Sequence, residues 1–185
     1  MCESEDSQHA PGGPDDPPGE DRPEAKARGV CLRMLTHSPR THAQMEQALH
    51  RRGFDEEVIT TVLGEFDDAG LIDDRAFAKA WVSSRHHSRG LSRRALSREL
   101  RTRGVEEEFV HEAVEELTDE DEEEAARTLA HRSLVGSRGK PTRTRIRRAL
   151  GALARRGYPT GLAYRMVREG LENEGLEIDL HDPEG

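Results

Sequence analysis

Aromatic side chains are scarce in this 185-residue chain, which has four Phe, two Tyr and one Trp. Apolar residues of all kinds make up 33 % and charged residues 35 %. That supply is too thin for one large globular core but sufficient for several small helical ones. No apolar run approaches the roughly 20 residues that a membrane-spanning helix needs. The first 27 residues are acidic and rich in Pro and Gly, with no apolar stretch of the kind a secretion signal carries. The two cysteines, Cys2 and Cys31, make no disulfide framework, and free thiols in the cytoplasm are expected.

Catalytic motifs are missing as well. Gly136 to Lys140 contains glycines, but Gly139-Lys140-Pro141 breaks the phosphate-loop pattern and lacks its hydroxyl. There is no nucleophile elbow and no His-Glu-x-x-His. Cys31, His37 and His42 have loose metal-like spacing without a second pair to complete a zinc site. His86-His87, beside Arg85 and Arg89, reads as a solvated helix end. The run Glu120 to Glu124 resembles a cation site only in composition, and a helix start favoured by the dipole accounts for it better. No enzymatic activity, cofactor or metal is expected.

What the chain does have is charge in blocks. The net charge of −9 averages over segments of opposite sign. Residues 1–27 carry −6, residues 85–104 carry +6, and residues 105–124 carry −12 with no Lys or Arg. Residues 125–168 then carry +12 with no acid, and residues 169–185 carry −7. Such blocks set local fields that the total conceals.

It also has an internal repeat. Three segments align on a glycine: Leu49 to Phe54 around Gly53, Leu100 to Val105 around Gly104, and Leu153 to Tyr158 around Gly157. Each has Leu four before the glycine, Arg one before it and an apolar residue one after it. Apolar residues recur downstream as Val58, Ile59, Val62 and Leu63, then Phe109, Val110, Ala113 and Val114, then Leu162, Ala163, Met166 and Val167. That spacing is an apolar helix stripe, and its recurrence after 51 and 53 residues marks a repeat architecture. Glycine just past an Arg-ending helix fits a left-handed C-terminal cap. Thr41 to Gln44 reads as a capping box, Asp55 to Glu57 as an acidic helix start, and Pro159 as a first-turn proline. A first helix in each repeat is expected at about 24–35, 74–84 and 119–135. In the second of these, Phe77, Ala78 and Trp81 share a face, and Asp73 or Asp74 is the cap.

The expected fold is therefore all-α: three tandem three-helix repeats, about nine helices, forming an elongated curved solenoid. The repeats span 24–72, 73–118 and 119–174, between disordered acidic tails at 1–23 and 175–185. No stretch alternates well enough to predict a strand.

The segment Gly70-Leu71-Ile72-Asp73-Asp74-Arg75-Ala76-Phe77-Ala78, followed by Val82, Arg85, Gly90 and then Leu100 to Val105, resembles the central signature of the RecX family. RecX proteins are likewise built from repeated three-helix units, and the resemblance covers roughly residues 28–171. It implies a modulator, most often an inhibitor, of the RecA recombinase. Such a protein would bind in the groove or at the growing end of the RecA–DNA filament and suppress strand exchange, ATP hydrolysis and coprotease activity in DNA repair and the SOS response. The acidic N-terminal tail, the run Glu120 to Glu124 and an Arg-rich rather than Lys-rich face depart from the usual pattern.

The basic segments supply the candidate partner- or DNA-binding residues. The first holds Arg85, Arg89, Arg93, Arg94, Arg98, Arg101 and Arg103, with Arg94, Arg98 and Arg101 on one helical face. The second holds Arg143, Arg145, Arg147, Arg148, Arg155 and Arg156. Guanidinium forks suit phosphate and carboxylate alike. The ordinary alternative is a solvated face paired with the acidic block. Contact with the RecA filament, with DNA, or with both is the functional reading, for a monomer. A direct DNA-binding helical protein and a passive helical-repeat scaffold are the competing classes. Against the first of these stand the negative total charge and the lack of a helix opening with base-reading side chains.

Overall fold

The computed structural model describes residues 22–176. Cys2, and the tail expectations for residues 1–21 and 177–185, lie outside the described residues. Among the described residues there are nine helices and no strand: α1 Pro23–His37, α2 His42–His50, α3 Glu56–Asp68, α4 Asp74–Arg89, α5 Arg93–Thr102, α6 Glu107–Glu115, α7 Asp119–Val135, α8 Thr142–Arg155 and α9 Thr160–Glu172.

Local chemistry sets these bounds. Thr41 and Gln44 make the expected capping box on α2, and Thr118 and Asp121 make a second one on α7. Asp73, rather than Asp74, caps α4 by accepting from the Ala76 N–H. Helix α4 runs five residues past the expected Ser84, because its polar end still follows the helical ladder until Gly90 turns left-handed at φ 59°. Pro159 precedes α9 as its N-cap instead of sitting in the first turn.

The apolar stripes fold into three separate cores. Met45, Leu49, Ile59, Val62 and Leu63 centre the first, from α1–α3. Val82, Leu96, Leu100 and Val110 centre the second, from α4–α6. Leu134, Leu153, Met166 and Val167 centre the third, from α7–α9. The extensively packed helix pairs lie within one such unit. A fully buried Leu in a core of this kind stabilises by about 2 kcal/mol. Each middle helix ends in the same turn: Phe54, Val105 and Tyr158 donate their N–H to Leu49, Leu100 and Leu153. Gly53, Gly104 and Gly157 hold φ of 78°, 77° and 82°, the left-handed geometry of a Schellman cap.

The junctions between units are polar and repeat. The turn of one unit docks on the N-terminus of the preceding unit's middle helix. At the first junction, the Thr41 hydroxyl donates to the Arg103 carbonyl at 2.6 Å, and Asp74 accepts the His42 N–H at 2.9 Å. At the second, the Ser92 N–H donates to the Arg156 carbonyl at 3.0 Å, and Glu122 accepts the Arg93 N–H at 3.0 Å. Thr41 and Ser92 are both wholly buried. Each stands twelve residues before its turn glycine, and Arg145 stands at that position in the third unit. Arg145 is instead folded inward, and α8 has no side-chain cap. The third unit thus departs from the first two at the position that forms their junctions.

Candidate interaction surface

The structure divides the thirteen candidate arginines into those that hold the fold and those left to solvent. Arg93 binds Asp119 and Glu122, the latter at 2.9 Å, and so fastens the second junction. Arg156 donates through Nε to the Arg89 carbonyl at 2.7 Å across the same junction. Arg145 is buried, donating to the Leu134 carbonyl at 3.1 Å and to Glu174 at 2.6 Å. Arg101 is exposed but grips Glu107 with both arms of its fork, one at 2.7 Å. Arg85 and Arg103 lie over the Trp81 ring.

The rest form an exposed set. Arg94 and Arg98 on α5, and Arg143, Arg147, Arg148 and Arg155 on α8, are exposed, and no carboxylate among the described residues pairs with them. Arg89, at the end of α4, is exposed too. Arg94 and Arg147 each stand ten residues before their turn glycine, so they occupy equivalent places on successive middle helices. Of the expected face of Arg94, Arg98 and Arg101, the first two are unpaired and the third is committed to Glu107.

Two shallow grooves flank α8. Arg147, Arg148 and Arg155 line a shallow groove of about 580 Å³ with Ser133, Gly151 and Ala152. On its other flank Arg143 and Arg147 border a second groove of about 460 Å³ beside Tyr164. Tyr164 comes from α9, and nothing in sequence spacing points to it; the fold alone brings an aromatic ring to the arginines.

The acidic block is largely spent elsewhere. Glu108 and Glu112 meet Arg75, Glu112 and Glu116 meet Lys79, Glu123 meets Arg165 and Glu124 meets Arg127. Only Arg93 and Arg101 of the candidates draw on it. The charged hydrogen bonds hold Glu107 and Glu112 below the ordinary Glu range, as the Thr118 backbone and hydroxyl do for Asp121. Burial pushes Asp74 up, against the His42 N–H that it accepts. Burial also drives the Tyr158 phenol up to about 12, where it donates to the Gly90 carbonyl at 3.0 Å.

Against known proteins, residues 27–66 match the first three-helix domain of RecX and residues 73–114 match the second. The regulatory protein RecX of Thermobifida fusca (strain YX) is 55 % identical over 176 residues, covering 93 % of this chain and 95 % of that protein. The chain belongs to the RecX family. The regulatory protein RecX of Streptomyces coelicolor is 51 % identical over 163 residues, spanning 88 % of this chain and 87 % of its own length. Among solved structures, RecX from Lactobacillus salivarius superposes with a TM-score of 0.70 over 80 % of this chain and 96 % of that one. At 19 % identity that match shows the fold alone. A second RecX crystal structure, 25 % identical, gives a TM-score of 0.68 over 80 % of this chain and 72 % of that one. The all-α repeat fold and a regulatory role follow from membership of the RecX family, and no helix among the described residues is long and apolar enough to cross a membrane.

Proposed function

We propose that this RecX-family chain is a non-enzymatic cytoplasmic regulator that binds the RecA–DNA filament as a monomer. By occupying the groove or the growing end, it inhibits the recombinase, ATPase and coprotease activities of RecA. The observation that carries this reading is the unpaired arginine set on α5 and α8, with Arg94 and Arg147 in equivalent places on successive units held by a polar junction. A filament offers charge at regular intervals, and guanidinium groups on two successive units can meet more than one interval at once. Contact with filament DNA, with acidic RecA surface, or with both satisfies the same groups.

The test is single-strand-dependent ATP hydrolysis by the cognate RecA, titrated with this protein. Inhibition well below one copy per RecA protomer is expected, weakening as salt rises. Changing Arg94, Arg98 and Arg147 together to Glu should abolish it while leaving the helical fold intact. No effect of the folded wild-type chain at any ratio refutes the reading. Sequence-discriminating affinity for bare duplex at physiological salt would instead establish a direct DNA-binding protein.

A further inference from the structure

Two arginines of the second unit lie over the one tryptophan of the chain, and a third comes near them from the first unit. The guanidinium carbon of Arg103 lies 3.7 Å from the Trp81 ring centroid, and that of Arg85 lies 4.2 Å from it. Arg40, in the loop between α1 and α2, is close enough for its charge, like that of Arg85, to act on Arg103. The cluster is assembled across the first junction. Arg40 immediately precedes Thr41, whose hydroxyl donates to the Arg103 carbonyl at 2.6 Å. All three side chains are partly buried.

The cluster is also unbalanced. Glu99, the carboxylate whose charge reaches Arg103, is engaged by the Trp81 indole N–H at 2.9 Å. No carboxylate among the described residues is hydrogen-bonded or ion-paired to Arg40, Arg85 or Arg103. The Nε atoms of Arg40 and Arg103 are buried without a hydrogen-bond partner. Burial, helped by the two neighbouring like charges and opposed by Glu99, holds Arg103 below the usual arginine range. Arg28, Arg75, Arg93, Arg101, Arg127, Arg145 and Arg165, by contrast, all meet carboxylates. Buried unpaired donors and crowded like charges are both unfavourable until an anion joins them.

We propose that Arg40, Arg85 and Arg103 form a phosphate-binding cradle at the junction of the first two units. Three forks offer more N–H groups than the two oxygens of a carboxylate can accept. A tetrahedral phosphate presents oxygens in several directions and can be gripped from three sides. Because Arg40 belongs to the first unit and the other two to the second, a bound phosphate ties the units together. The cradle uses none of the residues Arg94, Arg98 and Arg147, and it requires no RecA.

Trp81 makes the proposal directly testable by its fluorescence. The full chain is titrated with inorganic phosphate, pyrophosphate and chloride at constant ionic strength. The phosphates are expected to give a saturable emission change and a higher urea midpoint, and chloride neither. Arg40→Gln, which leaves the two guanidinium groups over the ring in place, should weaken phosphate binding by about tenfold, the scale of one charged hydrogen bond. Arg51→Gln, an exposed arginine at the far end of α2, should bind as wild type. A short oligothymidylate distinguishes the source. The same emission endpoint at lower oligonucleotide concentration identifies nucleic-acid backbone phosphate, and saturation by pyrophosphate but not by the oligonucleotide identifies free phosphate; either supports the cradle. It is overturned by a flat phosphate titration, by a response unchanged in Arg40→Gln, or by saturation with a Glu-rich peptide when phosphate has no effect.

Discussion

Gly53 and Gly104 occupy the same turn with nearly the same backbone, φ 78° and 77°, yet alanine should affect them very differently. At Gly53 an added Cβ meets nothing within 4 Å. The loss there is the left-handed strain alone, about 1 kcal/mol. At Gly104 an added Cβ overlaps the Cβ of Ala43, which sits on α2 of the preceding unit. Relieving that overlap moves the Arg103–Gly104 turn away from Thr41, where the 2.6 Å hydrogen bond holds it. Overpacking of this kind adds about 2 kcal/mol, so Gly104→Ala should lose about 3 kcal/mol in all. Urea unfolding followed by far-ultraviolet circular dichroism and by Trp81 emission measures both. Because stability in a repeat array is a sum of unit and interface terms, Gly104→Ala should also separate the two transitions, and Gly53→Ala should not. Losses for the two variants within about 0.5 kcal/mol of each other, the usual error of additivity, would refute the tight junction.

Arg145→Met leaves Glu174 and the Leu134 carbonyl without their donor, and should lose about 3 kcal/mol, whereas Arg94→Gln should stay within about 0.5 kcal/mol of wild type. Denaturant midpoints decide it, and equal midpoints would contradict the inward placement of Arg145. Acid should also destabilise the chain. Glu65, Glu107, Glu112 and Asp121 are held below their ordinary values of 4.5, 4.5, 4.5 and 3.8, so the unfolded chain takes up protons first and stability falls as pH drops through that range. Asp74, raised by burial, acts in the opposite sense, so Asp74→Asn should widen the stability difference between pH 7 and pH 4; a narrower difference would reverse the assignment.

Much of the fold is legible in the sequence because each unit is locally determined. Leu, Arg and Gly at fixed spacing encode a helix end, and the paired apolar doublets encode the stripe that packs on it. Thr41 to Gln44 needs only four residues to specify a cap, and the structure forms it. The junctions are not legible in that way. Asp74 and Glu122 read as helix-start acids, and their role as acceptors for His42 and Arg93 appears only when two units are set side by side. Arg145 likewise reads as one more cation in a basic run. Its burial follows from Glu174, twenty-nine residues away. Trp81 packs against the second core beside Phe77, as the face it shares with Phe77 and Ala78 implies; its two guanidinium partners, from a later turn of its own helix and from the end of α5, are not legible in that spacing.

The net charge of −9 weighs less against an anionic partner than it does at first sight, because the acids and bases are not free to the same degree. Carboxylates of the acidic block are held by Arg75, Lys79, Arg93, Arg101, Arg127 and Arg165. Each such pair is close to neutral beyond a Debye length of about 8 Å at physiological salt. What remains unpaired on α5 and α8 is positive. An approaching polyanion meets that local field before it meets the average. The polar junctions matter for the same reason. If the units were joined by flexible linkers, the guanidinium groups of α5 and α8 would reach their partner one unit at a time. Ser92, Arg93 and Glu122 instead fasten α5 to the Arg156–Gly157 turn, where an added Cβ would stand 2.7 Å from the Ser92 Oγ, so the proposed surface is held together across the second junction. On the proposed reading, the ordering entropy is met when the chain folds and not when it binds.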